Sequence, residues 1–455
     1  MKSHSNLNRR RFLQLTAGAA TVGLNMGQVR AAETAHVVVI GGGVGGATFA
    51  KYLRLYAPEV KVTIIERNRQ YQRPYGSSEV IVGNVDMDAI TISYDALQKK
   101  HGVQFVFDTV NGVDFATRTV STEGGQKLVY DRLVVSPGIS FDYSKVPGME
   151  SPEAQQLIPH GWNAGDQLLA LKKQLDAVPV NGTVVIVPPP NPYRCPPGPY
   201  ERAGLIAQHL LDRGDKHPRV LILDPKNGFT TDVTMLQAWN RLYGMNLPKP
   251  FEKNYTAEQL ATFKKYDQPG VIEWVMAEEG GRVVKVDAVN KTVETEKGVI
   301  KADMINLIPP LKAGQIALDL GLADASGWCP VDMKTFESTK QPRVHVIGDA
   351  CIAGDMPKSG YSANSQAKVV ALQIKALLAG QEPIAPVLQN TCYALAGRSD
   401  YGMFVADVFR QNAQGILKRA DQPRYLPFNA SEAQYRLSAV YLHAWMDSFT
   451  QDIFA

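Results

Sequence analysis

The rhythm of apolar and polar positions changes sharply near residue 36. His36 to Ile40 is almost entirely apolar, three glycines follow at 41–43, and a mixed apolar stretch begins at Val44. An unbroken apolar run bounded by turn residues predicts a strand buried on both faces, and the change at Val44 predicts a helix. Lys61 to Glu66 predicts the next strand, and Val103 to Phe107 and Leu128 to Ser136 are further β-rich runs. Within the latter, Tyr130 to Gly138 is a buried-type strand that ends in Ser-Pro-Gly. Asn68 to Gly83 has no clear period and predicts a long loop. A second strand–helix unit starts at Gly182 with GTVVIV and continues at Val220 to Asp224. Arg343 to Asp349 is another short apolar strand, closed by Gly-Asp. Ser359 to Gln366 then predicts a loop leading into a helix over Lys368 to Leu378.

Strands alternating with helical stretches predict an α/β fold. Gly41, Gly43 and Gly46 supply the spacing of a dinucleotide loop: the first permits a tight turn, the second lets a pyrophosphate approach the backbone, and the third lets helix and strand pack closely. The pyrophosphate is then expected on the helix N-terminus, whose N–H groups and dipole favour anions. Glu66 stands where a ribose-binding carboxylate is expected. The predicted architecture is two Rossmann-like dinucleotide-binding domains, an FAD domain interrupted by a degenerate NAD-like domain, plus a C-terminal α+β interface domain. The boundaries read as 32–150 and 306–380 for the FAD domain, 151–305 for the second and 381–455 for the third.

Residues 1–31 are set apart from that fold. NRRRFLQ at 8–14, a mildly apolar stretch to Leu24 and small residues at Ala31 and Ala32 resemble a twin-arginine export signal. Its removal takes away Lys2, Arg9, Arg10, Arg11 and Arg30, so the formal charge of +4 becomes about −1. That balance offers no basic patch for nucleic acid or an anionic membrane. The remaining chain, roughly 420 residues, is long enough for two or three domains with substantial cores.

The second unit departs from a nicotinamide site. Pro188, Pro189, Pro190, Pro192, Pro196, Pro197 and Pro199 crowd the segment where glycines would be needed. Prolines lack the N–H groups and the conformational freedom that a phosphate-cradling loop requires, so NAD(P)H is not expected there. Gly348 and Asp349 look like a second flavin fingerprint, in which the aspartate bonds the ribityl chain, and the following helix N-terminus would stabilise a reduced, anionic ring. The cysteines are Cys195, Cys329, Cys351 and Cys392. They form no Cys-x-x-Cys pair, which disfavours an adjacent redox motif or a clustered zinc site. Cys195 stands out among rigid prolines, and Cys329 and Cys351 are read as buried free thiols.

GGGVGG, YGSSEVIVG, PPPNPYRCPPGPYERAG, HVIGDACIAGDMPKSGYSANSQAK and NTCY together resemble the flavoproteins of flavocytochrome c sulfide dehydrogenase, relatives of the sulfide:quinone oxidoreductases. The resemblance covers nearly the whole chain. It implies that Cys195 and Cys392 form a redox disulfide beside FAD, that Glu201 is a proton-handling carboxylate, and that Gly138 returns the chain to the FAD domain. It further implies that hydrosulfide attacks the disulfide, that two electrons reach FAD, and that zero-valent sulfur leaves as persulfide or polysulfide. One position departs: Pro74 stands where many members carry a cysteine bonded to FAD, so FAD is expected to be non-covalent. The chain holds no Cys-x-x-Cys-His motif, so a separate c-type cytochrome subunit is the expected acceptor, with the heterodimer in the periplasm.

Three rival readings stay open at this level. A membrane-associated sulfide:quinone oxidoreductase would need a bilayer-facing C-terminal helix. Tyr441, Leu442, Trp445, Phe449 and Phe454 are interrupted there by Arg436, His443, Asp447 and Asp452, a mixture that suits core or subunit interface better. A non-catalytic flavoprotein partner of a sulfur-oxidation system and an NADH-dependent disulfide reductase are the others, the last disfavoured by the prolines. No metal site is expected.

Overall fold

The computed structural model describes residues 34–419 and 424–455; the reading of residues 1–31 as an export signal lies outside them. The chain begins with strand β1 (His36–Ile40), helix α1 (Val44–Tyr56) and strand β2 (Lys61–Ile65). A short helix α2 (Ser77–Ile81) precedes strands β3 (Gln104–Val106) and β4 (Arg132–Val135). It then leaves to build a second parallel sheet from β5 (Thr183–Val187), β6 (Arg219–Leu223), β7 (Ile272–Val275) and β8 (Met304–Leu307), with helix α3 (Gly198–Asp212) after β5. With β9 (Val344–Val346) and helix α4 (Gly360–Leu378) it returns to the first sheet. The spatial orders are β9-β4-β1-β2-β3 and β7-β6-β5-β8, all parallel. The α/β class expected from the pattern is the one found.

Val37, Val38 and Val39 are fully buried because helices cover the first sheet, with α1 packed on α4. The backbones of β1, β2, β4 and β9 meet at their carboxyl ends: Gly41 N–H donates to Ile65 O (2.9 Å), Ser136 N–H to Ile40 O (2.9 Å) and Ile347 N–H to Val135 O (3.2 Å). Open α/β sheets bind ligands at that edge.

Two sequence expectations are corrected. Residues 68–83 are not a loop throughout: Gln70–Gln72 pairs with Thr91–Ser93, and α2 follows. In so short a helix no period develops, and its apolar end, Val80 and Ile81, packs with Leu168 and Leu171 in the second core. Residues 359–366 are not a loop either, since α4 already starts at Gly360, capped by Ser359 Oγ accepting from Ser362 N–H (3.0 Å). Its first turns hide from a hydropathy pattern because polar groups are buried in pairs; Asn364 Nδ2 donates to Thr48 Oγ1 (3.1 Å) and Asp452 Oδ2 (2.8 Å).

The end of β6 carries a closed cluster of polar side chains. Asp224 is fully buried and accepts from Tyr200 Oη (2.5 Å), Trp274 Nε1 (3.0 Å) and Lys226 Nζ (2.7 Å). Lys226 Nζ also donates to Pro189 O (2.8 Å). An acid at this place would face a ribose in a working unit; here the chain's own side chains saturate it.

The C-terminal region is an antiparallel sheet of β10 (Val387–Leu395), β11 (Gly402–Asn412) and β12 (Gly415–Lys418) with helix α5 (Glu432–Phe454). Tyr435, Ala439, Leu442 and Met446 of α5 join the second core, and Phe449, Ile453 and Phe454 join the first. Tyr441, grouped with these by sequence, instead lies half exposed beside Leu437 and Val440. Among the described residues no helix is long and apolar enough to cross a membrane.

Buried Lys51 fixes the far end of α5, its ammonium donating to the carbonyls of Gln451 (3.2 Å), Asp452 (2.9 Å) and Ala455 (2.6 Å). Lys51→Met removes a charged donor from these carbonyls, and a loss of about 2 kcal/mol is expected. A lowered urea midpoint at unchanged slope checks it.

Candidate active site

A cavity of about 1560 Å³ opens at the carboxyl ends of β1, β2 and β4 and runs on to the N-terminus of α3 and to β10. Gly41, Gly43, Glu66, Gly138, Gly348 and Asp349 all line it, as do Cys195, Glu201 and Cys392. The structure therefore brings every candidate catalytic and cofactor-binding residue to one cavity, apart from Gly46, which is absent from its lining.

The glycines differ in what they do. Gly41 has φ +97°, a left-handed conformation that suits glycine. A Cβ on Gly46 would lie 1.9 Å from Gly41 O, so the loop folds back onto α1 only because that atom is missing. Gly43 caps α1 without a side chain, which leaves the first-turn N–H groups facing the cavity. Glu66 holds the loop in place, Oε2 accepting from Gly42 N–H (2.7 Å) and Oε1 from Asn68 N–H (3.0 Å). Gly138 and Gly348 are left-handed, and Gly348 N–H is spent on Gln366 Oε1 (2.8 Å). Asp349 is buried, yet its Oδ1 has no partner. Burial pushes this carboxyl up, with Arg194 and Lys358 opposing.

The thiol half is held from α4. Cys195, at φ +57° without being glycine, donates its N–H to Lys358 O (2.8 Å) and accepts from Gly198 N–H (2.9 Å). Next to Lys358, Ser359 Oγ donates to Asn390 Oδ1 (2.6 Å), and Asn390 Nδ2 reaches Cys392 Sγ (3.3 Å). Both sulfurs are free thiols in this structure. Cys195 exposes surface to the cavity while protein encloses its other sides. That enclosure, with Cys392 and Glu201 adding negative charge, pushes its thiol well above the ordinary value. Burial pushes Cys392 up to about 11 against hydrogen bonds from Asn390 and Ser359. Glu201 Oε1 accepts from Leu395 N–H (2.8 Å), three residues along β10 from Cys392. Burial and the nearby Glu79 push its carboxyl up to about 7.

Cys329 and Cys351 lie elsewhere. They are buried, free and directly opposite each other in a two-residue parallel pairing outside the cavity lining.

Several participants escaped sequence reasoning. Asn390 shares a strand face with Cys392 because strand positions i and i+2 coincide, so the Asn-x-Cys spacing was an available signal. Tyr94 Oη and Trp445 Nε1 are buried without partners, and both residues line the cavity. Trp445 stacks on Phe449 (4.8 Å between centroids), and Tyr361 stacks on Phe449 in turn (5.8 Å). Trp445 and Phe449 lie one turn apart on α5, whereas Tyr361 reaches Phe449 from α4, a contact that no local pattern reveals.

The residues present fit FAD. The unpartnered Asp349 Oδ1, the Gly41–Gly46 closure, the open first turn of α1 and the positive end of α4 supply the groups that a flavin dinucleotide requires. Fold and cavity thus define an α/β dinucleotide-binding flavoprotein with a pair of thiols in its cofactor cavity. Three family models match: pyridine nucleotide-disulphide oxidoreductase over 35–186, sulfide dehydrogenase [flavocytochrome c] flavoprotein chain, central, over 168–309, and flavocytochrome c sulphide dehydrogenase, flavin-binding, over 384–454. The chain is a flavoprotein related to the sulfide dehydrogenases and sulfide:quinone oxidoreductases. The mitochondrial sulfide:quinone oxidoreductase of Mus musculus is 23% identical over 92% of this chain and 91% of its own. The sulfide-quinone reductase of Aquifex aeolicus is 24% identical over 82% and 83%. The solved structure of the Aquifex aeolicus sulfide:quinone oxidoreductase superposes with a TM-score of 0.65 at 19% identity, covering 92% of each chain.

Gly46→Ala forces Gly41 away from α1, so the purified variant is expected to lack the visible absorbance of bound flavin while keeping its far-UV circular dichroism. A bound flavin at parental occupancy would contradict this account of the loop.

Proposed function

We propose that this protein oxidises sulfide to zero-valent sulfur, released as persulfide or polysulfide, through a Cys195–Cys392 disulfide and FAD. One observation carries the reading: two thiols far apart in sequence line one cavity with a partly buried carboxylate, beside the groups that suit a flavin. When bound, FAD supplies the two-electron acceptor for the reduced thiol pair and hands electrons on singly.

The chain's own residues divide the remaining work. Cys195 faces the cavity and takes the incoming sulfur; the S–S bond breaks and Cys392 leaves as thiolate. That direction follows from the surroundings, because Cys195 is exposed to the cavity whereas Cys392 is buried with Asn390 Nδ2 donating to its sulfur. Glu201 accepts the proton that hydrogen sulfide gives up as it attacks. A second sulfide then removes the outer sulfur of the Cys195 persulfide, leaving the dithiol. Pro74 lines the cavity where the resemblance implies a bonded cysteine, so FAD is held non-covalently.

Electrons leave to a c-type cytochrome subunit, a reading supported by the two flavocytochrome c family models and by the absence of a haem-attachment motif from the sequence. The sequence resemblance at residues 8–32 supports export by the twin-arginine route to the periplasm. Quinone is the competing acceptor, favoured by the named activity of the relatives in mouse and Aquifex aeolicus.

Anaerobic titration with sulfide tests the reading. The parent flavin is expected to bleach and then to reduce cytochrome c faster than a soluble quinone. Cys195→Ser is expected to keep FAD and lose sulfide-dependent bleaching by at least about a hundredfold, and undiminished bleaching would remove the disulfide from the mechanism.

The pH dependence follows from Glu201. Only the carboxylate accepts a proton, so bleaching should rise with pH through about 7 and fall below it. Because hydrosulfide also accumulates near that pH, the check is the ratio of parent to Glu201→Gln rates, which should itself grow with pH.

A further inference from the structure

Tyr94 takes no part in the sulfide chemistry proposed above, yet it is built firmly into the cavity wall. It is 2% exposed and stands just ahead of the helix over Asp95–His101, its carbonyl accepting from Gln98 N–H (3.2 Å). Three rings pack around its own: Phe105 at 4.7 Å between centroids, Phe107 at 6.2 Å and Phe454 at 6.1 Å. A phenol hydroxyl lies on the axis of its ring, so packing that fixes the ring also fixes the oxygen.

That oxygen abuts the glycine loop. It is 2.9 Å from where a Cβ on Gly42 would sit, and Glu66 Cγ is 3.2 Å from the same point. Gly42 donates its N–H to Glu66 Oε2 (2.7 Å), so the loop, the acid and the phenol meet at one glycine. Of these groups the phenol alone is unspent: Tyr94 Oη is buried and has no hydrogen-bond partner among the described residues. Burial, with Glu66 and Tyr71 nearby, raises its proton affinity, so the group keeps its proton and is a donor. A buried hydroxyl with nothing to bond carries a cost that a phenylalanine would avoid. Tyr94, Glu66, Gly41 and Gly43 line the same cavity, and its occupant is the remaining source of a partner.

We propose that Tyr94 positions the adenosine half of FAD, its hydroxyl donating to a ribose hydroxyl oxygen whose own proton goes to Glu66. The inference rests on FAD as the occupant of this cavity and is independent of the sulfide chemistry. Glu66 keeps unused lone pairs after accepting from the N–H groups of Gly42 and Asn68. A ribose hydroxyl both donates and accepts, so it can satisfy the carboxylate and the phenol together. FAD also offers phosphate oxygens as acceptors; the ribose is favoured because the phenol and the acid at the end of β2 border the same glycine.

The test is FAD binding by the full chain, stripped of flavin and titrated while flavin fluorescence is followed, in the parent and in Tyr94→Phe. Each is titrated with FAD and with an analogue whose adenosine ribose has no hydroxyls. Tyr94→Phe is expected to weaken FAD about tenfold and to bind the analogue as the parent does. Thermal melting gives a second readout of opposite sign. Without flavin Tyr94→Phe should melt above the parent, because the partnerless hydroxyl is gone, and saturating FAD should raise its midpoint by fewer degrees. Parental affinity of Tyr94→Phe for FAD, or a flavin-free Tyr94→Phe that melts below the parent, overturns the proposal. So does an equal loss of affinity for FAD and the analogue, which would put the hydroxyl on another part of the cofactor. A parent that takes up no FAD removes the flavin itself, a failure distinct from a Tyr94→Phe that binds as the parent does. Should the stripped chain not stay folded, release of FAD from the holoenzyme on dilution replaces the titration: release about tenfold faster from Tyr94→Phe is expected, and release at the parental rate is the overturning result.

Discussion

Two adjacent residues at the head of α4 hold the site together. Lys358 O takes the N–H of Cys195, Ser359 Oγ reaches Asn390, and Asn390 reaches Cys392. The same lysine turns its ammonium back onto Asp349 O (2.7 Å) and Cys351 O (2.9 Å), lying over the Trp328 ring. Second unit, C-terminal sheet and flavin-type domain are therefore tied through one dipeptide. Losing that tie would free the segment that carries Cys195 from the sheet edge that carries Asp349, and thiol chemistry next to a flavin tolerates errors of only about an ångström. Burial explains why the tie holds: Ser359 and Asn390 are both almost wholly covered, so leaving their polar groups unpaired would be costly.

The second unit combines a parallel sheet of the dinucleotide-binding type with a strand end that its own side chains fill. Asp224, Lys226, Tyr200 and Trp274 occupy by mutual bonding the place of a ribose, and the proline-rich segment after β5 gives up the N–H groups that phosphate would need. What that segment provides instead is stiffness. It delivers Cys195 in a left-handed conformation that a flexible loop would rarely hold, and Tyr193 Oη locks it by donating to Pro196 O (2.7 Å). The proline-rich segment thus serves as the mount for a thiol.

How much of this was legible in the sequence depends on the range of the interaction. The Gly41–Gly46 loop, Glu66 and the Gly348–Asp349 strand end are local devices whose residue types are dictated by backbone geometry, so they could be read directly. Placing Cys392 beside Cys195 took the family resemblance, because nothing within either segment points to the other. Short α2 and the first turns of α4 were misread because their polar residues are buried in the site, which removes the period that marks a helix. Tyr94 gives no local sign of its place, since the Phe454 ring 6.1 Å from its own comes hundreds of residues later.

Helix α5 decides whether the two cores act as one frame. Its first half is embedded with Trp239 and Tyr401 in the second core and its last turns with Tyr94 and Leu53 in the first, while Trp445 between them faces the cavity. A helix of 23 residues spans about 34 Å, so a single rigid element crosses from one core to the other past the cofactor cavity. Lys51, Lys368 and Tyr52 fix its end through Asp452 and the final carbonyls, and its capping box fixes the start. Motion between the two sheets would have to bend this helix or strip both sets of apolar contacts. The resulting stiffness suits a reaction in which a thiol delivered by one unit must repeatedly meet a cofactor held by the other.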